Sequence, residues 1–120
     1  MAAILAIAKI DQETAGFVTV LLEALKDEEN RVRHAAAVTL GPLEKHKDVA
    51  LPALIEALKD KDSWVRLGAA QSIWRLNPRD RRVVDVLIGI VKDGDPDIRN
   101  EAAATLKSVD PQAATKAGIR

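Results

Sequence analysis

Cysteine is missing from this 120-residue chain, so disulfide frameworks, cysteine–zinc sites and thiol chemistry are excluded. Tyrosine is missing too, and the aromatic set reduces to Phe17, Trp64 and Trp74. The apolar mass, 48% of the residues, therefore rests on Ala, Leu, Val and Ile, which suits close-packed helices better than a β-sandwich. A net charge is also lacking. Eighteen basic and 18 acidic side chains balance, which gives no global pull toward nucleic acid or an acidic membrane. No apolar run is long enough to span a bilayer, because Glu23 and Asp85 interrupt the best two. The opening MAAILAIAKI carries a cleavage-like Ala6-Ile7-Ala8, but its apolar run is short and no positive region precedes it. These absences lead to the expectation of a soluble cytoplasmic protein with one domain, large enough to bury roughly two thirds of its unfolded surface.

What the chain does contain is a repeat. LLEALKDEENRVR (Leu21 to Arg33), LIEALKDKDSWVR (Leu54 to Arg66) and LIGIVKDGDPDIR (Leu87 to Arg99) align without gaps at an offset of 33 residues. The register runs on through Ala36-Ala37, Ala69-Ala70 and Ala102-Ala103, and back to Ala3, Ile7 and Ile10. Each unit reads as two helices. In the first, apolar residues recur at i, i+3, i+4 and i+7: Val18, Leu21, Leu22, Leu25, then Leu51, Leu54, Ile55, Leu58, then Val84, Leu87, Ile88, Val91. A Lys-Asp turn follows, with Asp62 or Asp95 as the N-cap of the second helix and Pro96 at its first position. The second helices keep Val32, Ala36, Leu40 and Leu43 on one face, matched by Val65, Ala69, Ile73, Leu76 and by Ile98, Ala102, Leu106, Val109. Asn77-Pro78 and Asp110-Pro111 end their second helices, and Gly41-Pro42 ends or kinks the first of them.

A helix pair this small cannot bury its apolar face alone, so the units must stack into an all-α solenoid. The ankyrin signature Thr-Pro-Leu-His is missing, as is the aromatic and glycine pattern of tetratricopeptide repeats. The pattern L-I-E-A-L-K-D-x-D-x-x-V-R-x-x-A-A resembles the HEAT repeat, in particular the short bacterial variety named after phycobilisome lyases. That resemblance implies a right-handed α-α superhelix. It predicts one domain over 1–120, with a half repeat at 1–13, full repeats at 14–46, 47–79 and 80–112, and a truncated helix start or tail at 113–120. It also implies an inter-unit ladder of Asp27, Asp60 and Asp93 with Arg33, Arg66 and Arg99. A carboxylate accepts from free N–H groups at a helix start, and arginine bridges neighbours with two bonds, so these six are read as structural.

Catalytic constellations are scarce. The histidines His34 and His46 have no carboxylates at metal-ligand spacing beside them, so no metal and no cofactor is expected. The HEAT-like family includes a di-iron hydroxylase built on His-Glu pairs. Here Ala35 follows His34 and Lys47 follows His46, so that chemistry is not implied. Gly94 stands alone in its turn, and Ser63, Ser72 and Ser108 have no histidine in their own units. The chain is therefore read as no enzyme.

Two surfaces invite a binding reading. Trp64, Leu67 and Trp74 align with polar or small residues of the sibling units: Arg31 and Asp97, His34 and Asn100, Gly41 and Lys107. With Gln71 they fall at i, i+3, i+7 and i+10, opposite the Val65, Ala69, Ile73, Leu76 stripe. Trp64, Leu67, Gln71 and Trp74 are thus the candidate anchors for a peptide or protein on the second-helix face, which lines the concave surface in HEAT-like stacks. Two other readings of the strip stand beside this one: a homo-oligomer contact, and packing against neighbouring helices, with Trp74 covering the Gly41-Pro42 break. The turns inside units are acidic, whereas Lys45, Lys47, Arg75, Arg79, Arg81 and Arg82 form a basic edge between units. That edge supports an alternative, nucleic-acid or phosphate binding, which zero net charge and few aromatics weigh against. A further alternative is a segment of a longer array that self-associates through uncapped ends.

Overall fold

The computed structural model describes residues 15–119, and no strand occurs among them. Helix α1 is seen over 15–24. It is followed by α2 (Asn30–Leu40), α3 (Lys47–Ala57), α4 (Ser63–Leu76), α5 (Arg82–Asp93), α6 (Pro96–Val109) and the short α7 (Pro111–Lys116). A 3-10 turn, Glu44–His46, leads into α3. The half repeat expected over 1–13 lies outside the described residues. The helices form successive pairs in an α-solenoid. The second members α2, α4 and α6 lie side by side, with α4 touching α2, α3, α5 and α6.

Helix ends follow local chemistry. Asp62 caps α4: its Oδ1 accepts the Trp64 and Val65 backbone N–H groups at 2.9 and 3.2 Å, satisfying donors that have no partner in the first turn. Asp95 occupies the same place before α6 but makes no side-chain cap bond, and Pro96 at the first position removes one donor instead. Gly41-Pro42 stops α2 at Leu40 and Asn77-Pro78 stops α4 at Leu76. Asp110 ends α6 and at once caps α7, accepting the Ala113 N–H at 3.0 Å.

The core takes its volume from the second-helix stripe, with Leu40, Val65, Ala69, Ile73, Ala102 and Leu106 fully enclosed. First helices contribute Leu21, Leu54 and Leu87, but also Ala50, Val83 and Ile90, which lie one step round the helix from the periodic pattern. Leu51, Ile55, Ile88 and Val91 are only partly buried.

One rung of the Asp–Arg ladder is made. Arg33, almost wholly buried, holds both Asp60 oxygens through Nε and Nη2 at 2.9 and 3.2 Å, and its Nη1 takes the Asp27 and Glu28 carbonyls. At the next level Arg66 turns to the Asp60 carbonyl and the Ser63 hydroxyl, while Asp93 and Arg99 are exposed. The ladder reading is corrected at that level. Helix α5 runs on to Asp93, whereas α3 stops at Ala57, so Asp93 is held in a last helical turn instead of the loop that presents Asp60.

Burial pushes the Asp60 carboxyl up, yet the hydrogen bonds from Arg33 and from the Asp62 N–H prevail and hold it below its ordinary value. A carboxylate with a depressed folded-state pKa stabilises the fold above its unfolded value of about 4 and loses that contribution as pH falls through the folded one. Asp60→Asn is therefore expected to lower stability at neutral pH and to flatten the acid limb below about pH 4. Chemical unfolding across a pH series checks this; an unchanged acid limb would show the pair to be idle.

Candidate functional site

The second helices meet along two seams, and the 33-residue register places equivalent residues on each. In the first seam the forward ridge of α2 faces the rear ridge of α4. His34 meets Trp64 edge-on, with centroids 6.1 Å apart and planes at 81°. A Cβ on Gly68 would lie 3.1 Å from Val38 and 3.2 Å from His34. A Cβ on Gly41 would lie 2.8 Å from Ser72 Oγ and 3.3 Å from Ser72 Cα. The buried Ser72 hydroxyl in turn donates to the Ala37 carbonyl, near the end of α2. Small residues thus close this seam.

The second seam, between α4 and α6, is built differently. Trp74 stands where Gly41 stands in the first, and Thr105 stands where Ser72 does. An indole cannot fit where a Cβ already clashes, so the helices stay apart at this end, and α4 touches α6 much less than α2. The space left is a groove of about 640 Å³, lined by Gln71, Trp74, Arg75 and Pro78 on one side and Ala104, Thr105 and Ser108 on the other. Gln71 Nε2 donates to Thr105 Oγ1 at 3.0 Å, a polar tie across the seam.

The four-residue strip expected on the outward face of α4 is thereby divided. Leu67 is 2% exposed, and its place as a surface anchor is corrected. It sits one turn before Gln71, at the register position of the half-buried His34. Its polar equivalent Asn100 is exposed, with no following second helix among the described residues. Gln71 and Trp74 are half-buried in the α4–α6 seam. Trp64, 40% exposed, belongs to the rear ridge and a smaller cleft with Asn30, Arg31, His34 and Asp62. Ten residues separate the two indoles, leaving them about 80° apart round the helix. They serve different clefts.

The basic edge divides as well. Arg81 donates to Asp110, and this bond, with the Ala113 N–H, holds the Asp110 carboxyl below its usual range. Arg82 pairs with Asp80 at 3.3 Å. Lys45 and Arg75 line a second groove of about 540 Å³ together with Pro42, Leu43, Glu44 and His46. Lys47 and Arg79 are exposed beside it in sequence.

The sequence marks Pro78 only as a helix stop and Ser108 only as a serine without a histidine, and it does not point to Ala104 or Thr105; none of the four is expected to line a groove. Their signal was available in the register, because the bulky Trp74 replaces Gly41 opposite small residues. Among the described residues no group of three His, Asp or Glu side chains is placed to hold a metal ion. No helix among them is long and apolar enough to cross a membrane. Comparison with curated proteins found no match. A family profile described as HEAT repeats matches residues 1–74 and again residues 51–117.

Proposed function

The chain belongs to the HEAT-repeat family, whose repeats commonly mediate protein–protein contacts, and from that premise we propose a scaffold that seats a partner segment between α4 and α6. The observation that carries this reading is the half-buried Trp74 forming one wall of an open groove at the one seam it prevents from closing. A rigid indole already held in place loses little freedom on binding and offers a large apolar surface. Gln71, Thr105 and Ser108 provide hydrogen-bonding groups for a backbone laid beside it. The units 14–46, 47–79 and 80–112 remain part of the proposal, each giving one second helix to the recognition face.

Peptides selected from a random display library on the folded chain test it. Their affinity is measured for the parent chain and for Trp74→Ala by anisotropy of the labelled peptides, since a readout on the peptide serves both chains equally. Trp74→Ala should weaken binding about tenfold or more while circular dichroism shows the helices retained. Equal affinity for both chains would place recognition elsewhere.

A further inference from the structure

We infer that the partner segment carries an acidic side chain, carboxylate or phosphate, next to the apolar residue seated against Trp74. The inference rests on the proposed groove and adds the chemistry of its occupant. Arg75 carries it, because this one side chain lines both grooves: the Trp74 groove on one side and the Lys45–His46 groove on the other. A segment seated in the first groove therefore lies within reach of the cation that also borders the second.

Charge is available at that junction, whereas two other cations of the same edge are engaged. Lys47 and Arg79 also lack an ion pair among the described residues but line neither groove. Arg81 and Arg82 are engaged by Asp110 and Asp80. Among the described residues, neither Lys45 nor Arg75 has a carboxylate within ion-pair distance. His46 adds a third donor-bearing side chain to this groove, and Glu44 is the one acid lining it. Two cations with no ion pair among the described residues, beside an apolar wall, complement an acidic residue flanking an apolar one. Nucleic acid is the poorer fit, since the chain carries no net positive charge and a single indole gives no run of stacking platforms. Exposed ion pairs add little affinity by themselves, so the signature is selectivity and salt dependence.

The probe is a library of fluorescein-labelled, amidated nonapeptides with Leu fixed at the centre and Glu, phosphoserine, Gln or Lys fixed in turn at each flanking position. Binding to the whole chain is read by fluorescence anisotropy. At low salt, Glu and phosphoserine pools should bind about tenfold tighter than the matching Lys pools, on one side of the Leu, and the preference should shrink as salt is added. The Lys45→Gln, Arg75→Gln double variant should abolish the Glu-over-Lys ratio. A Glu preference without added gain for phosphoserine identifies carboxylate as the source, and the reverse identifies phosphate; both support the inference. Equal binding of Glu, Gln and Lys pools overturns it while leaving the groove intact. If Trp74→Ala changes no pool's affinity, the groove reading falls and this inference with it. Generic duplex DNA that displaces the peptides and is lost in the same double variant would assign the cations to nucleic acid and overturn it too.

Discussion

Leu67→Ala should lower the stability of the folded chain by about 2–5 kcal/mol, against the roughly 5–15 kcal/mol that holds a typical domain together. The residue is 2% exposed and belongs to the most enclosed helix of the stack, so the cavity left behind has little room to collapse. Leu67→Asn copies the residue found one unit later at position 100 and should be worse. It adds a buried amide whose unmet hydrogen bonds cost about 1–3 kcal/mol beyond the lost packing. Urea unfolding followed by helix signal and by Trp emission measures both variants, and coincident curves test whether the stack unfolds as one unit. A loss below about 1 kcal/mol for Leu67→Ala would mean the side chain is not core.

Gly41→Ala should cost about 1–3 kcal/mol although the residue has ordinary helical backbone angles, φ −56° and ψ −46°. The requirement is for space. The added Cβ meets Ser72 Oγ at 2.8 Å, and that hydroxyl is held by the Ala37 carbonyl and cannot simply swing away. Ser72→Ala removes the oxygen, so the double variant should lose less than the two single losses combined. Gly68 is the control. Its Cβ would meet the ends of the Val38 and His34 side chains at 3.1 and 3.2 Å, and neither is fully buried. Those ends can move, and alanine recovers up to about 1 kcal/mol of helix propensity, so Gly68→Ala should be nearly neutral. Additive losses at Gly41 and Ser72, or equal losses at Gly41 and Gly68, would remove the close approach as the reason the first seam is shut.

The candidate site was half legible from residues alone. Comparing sibling units picks out Trp74 as foreign to the repeat, and the structure places it on a groove. The same comparison misleads at Leu67, because His34 and Asn100 are polar for different reasons. His34 packs edge-on to Trp64, and Asn100 faces no further second helix among the described residues. Sibling positions are equivalent in register but not in neighbours. Asp93 shows the same limit: it shares its register with Asp60, yet it ends a longer helix and makes no ion pair with Arg66, which bonds the Asp60 carbonyl and Ser63 instead.

The sequence by itself determined the helices, their pairing and the stops at Gly41-Pro42, Asn77-Pro78 and Asp110-Pro111, since periodicity, proline breaks and the 33-residue register act over a few residues or repeat at fixed distance. It also determined membership of a stacked, all-helical family, because pairs this short bury a core only against one another. Which side of each second helix is free was decided only by the tertiary structure. That depends on what lies one whole unit away: Ser72 close enough to Gly41 to shut one seam, and Thr105 held off by Trp74 to leave the other open.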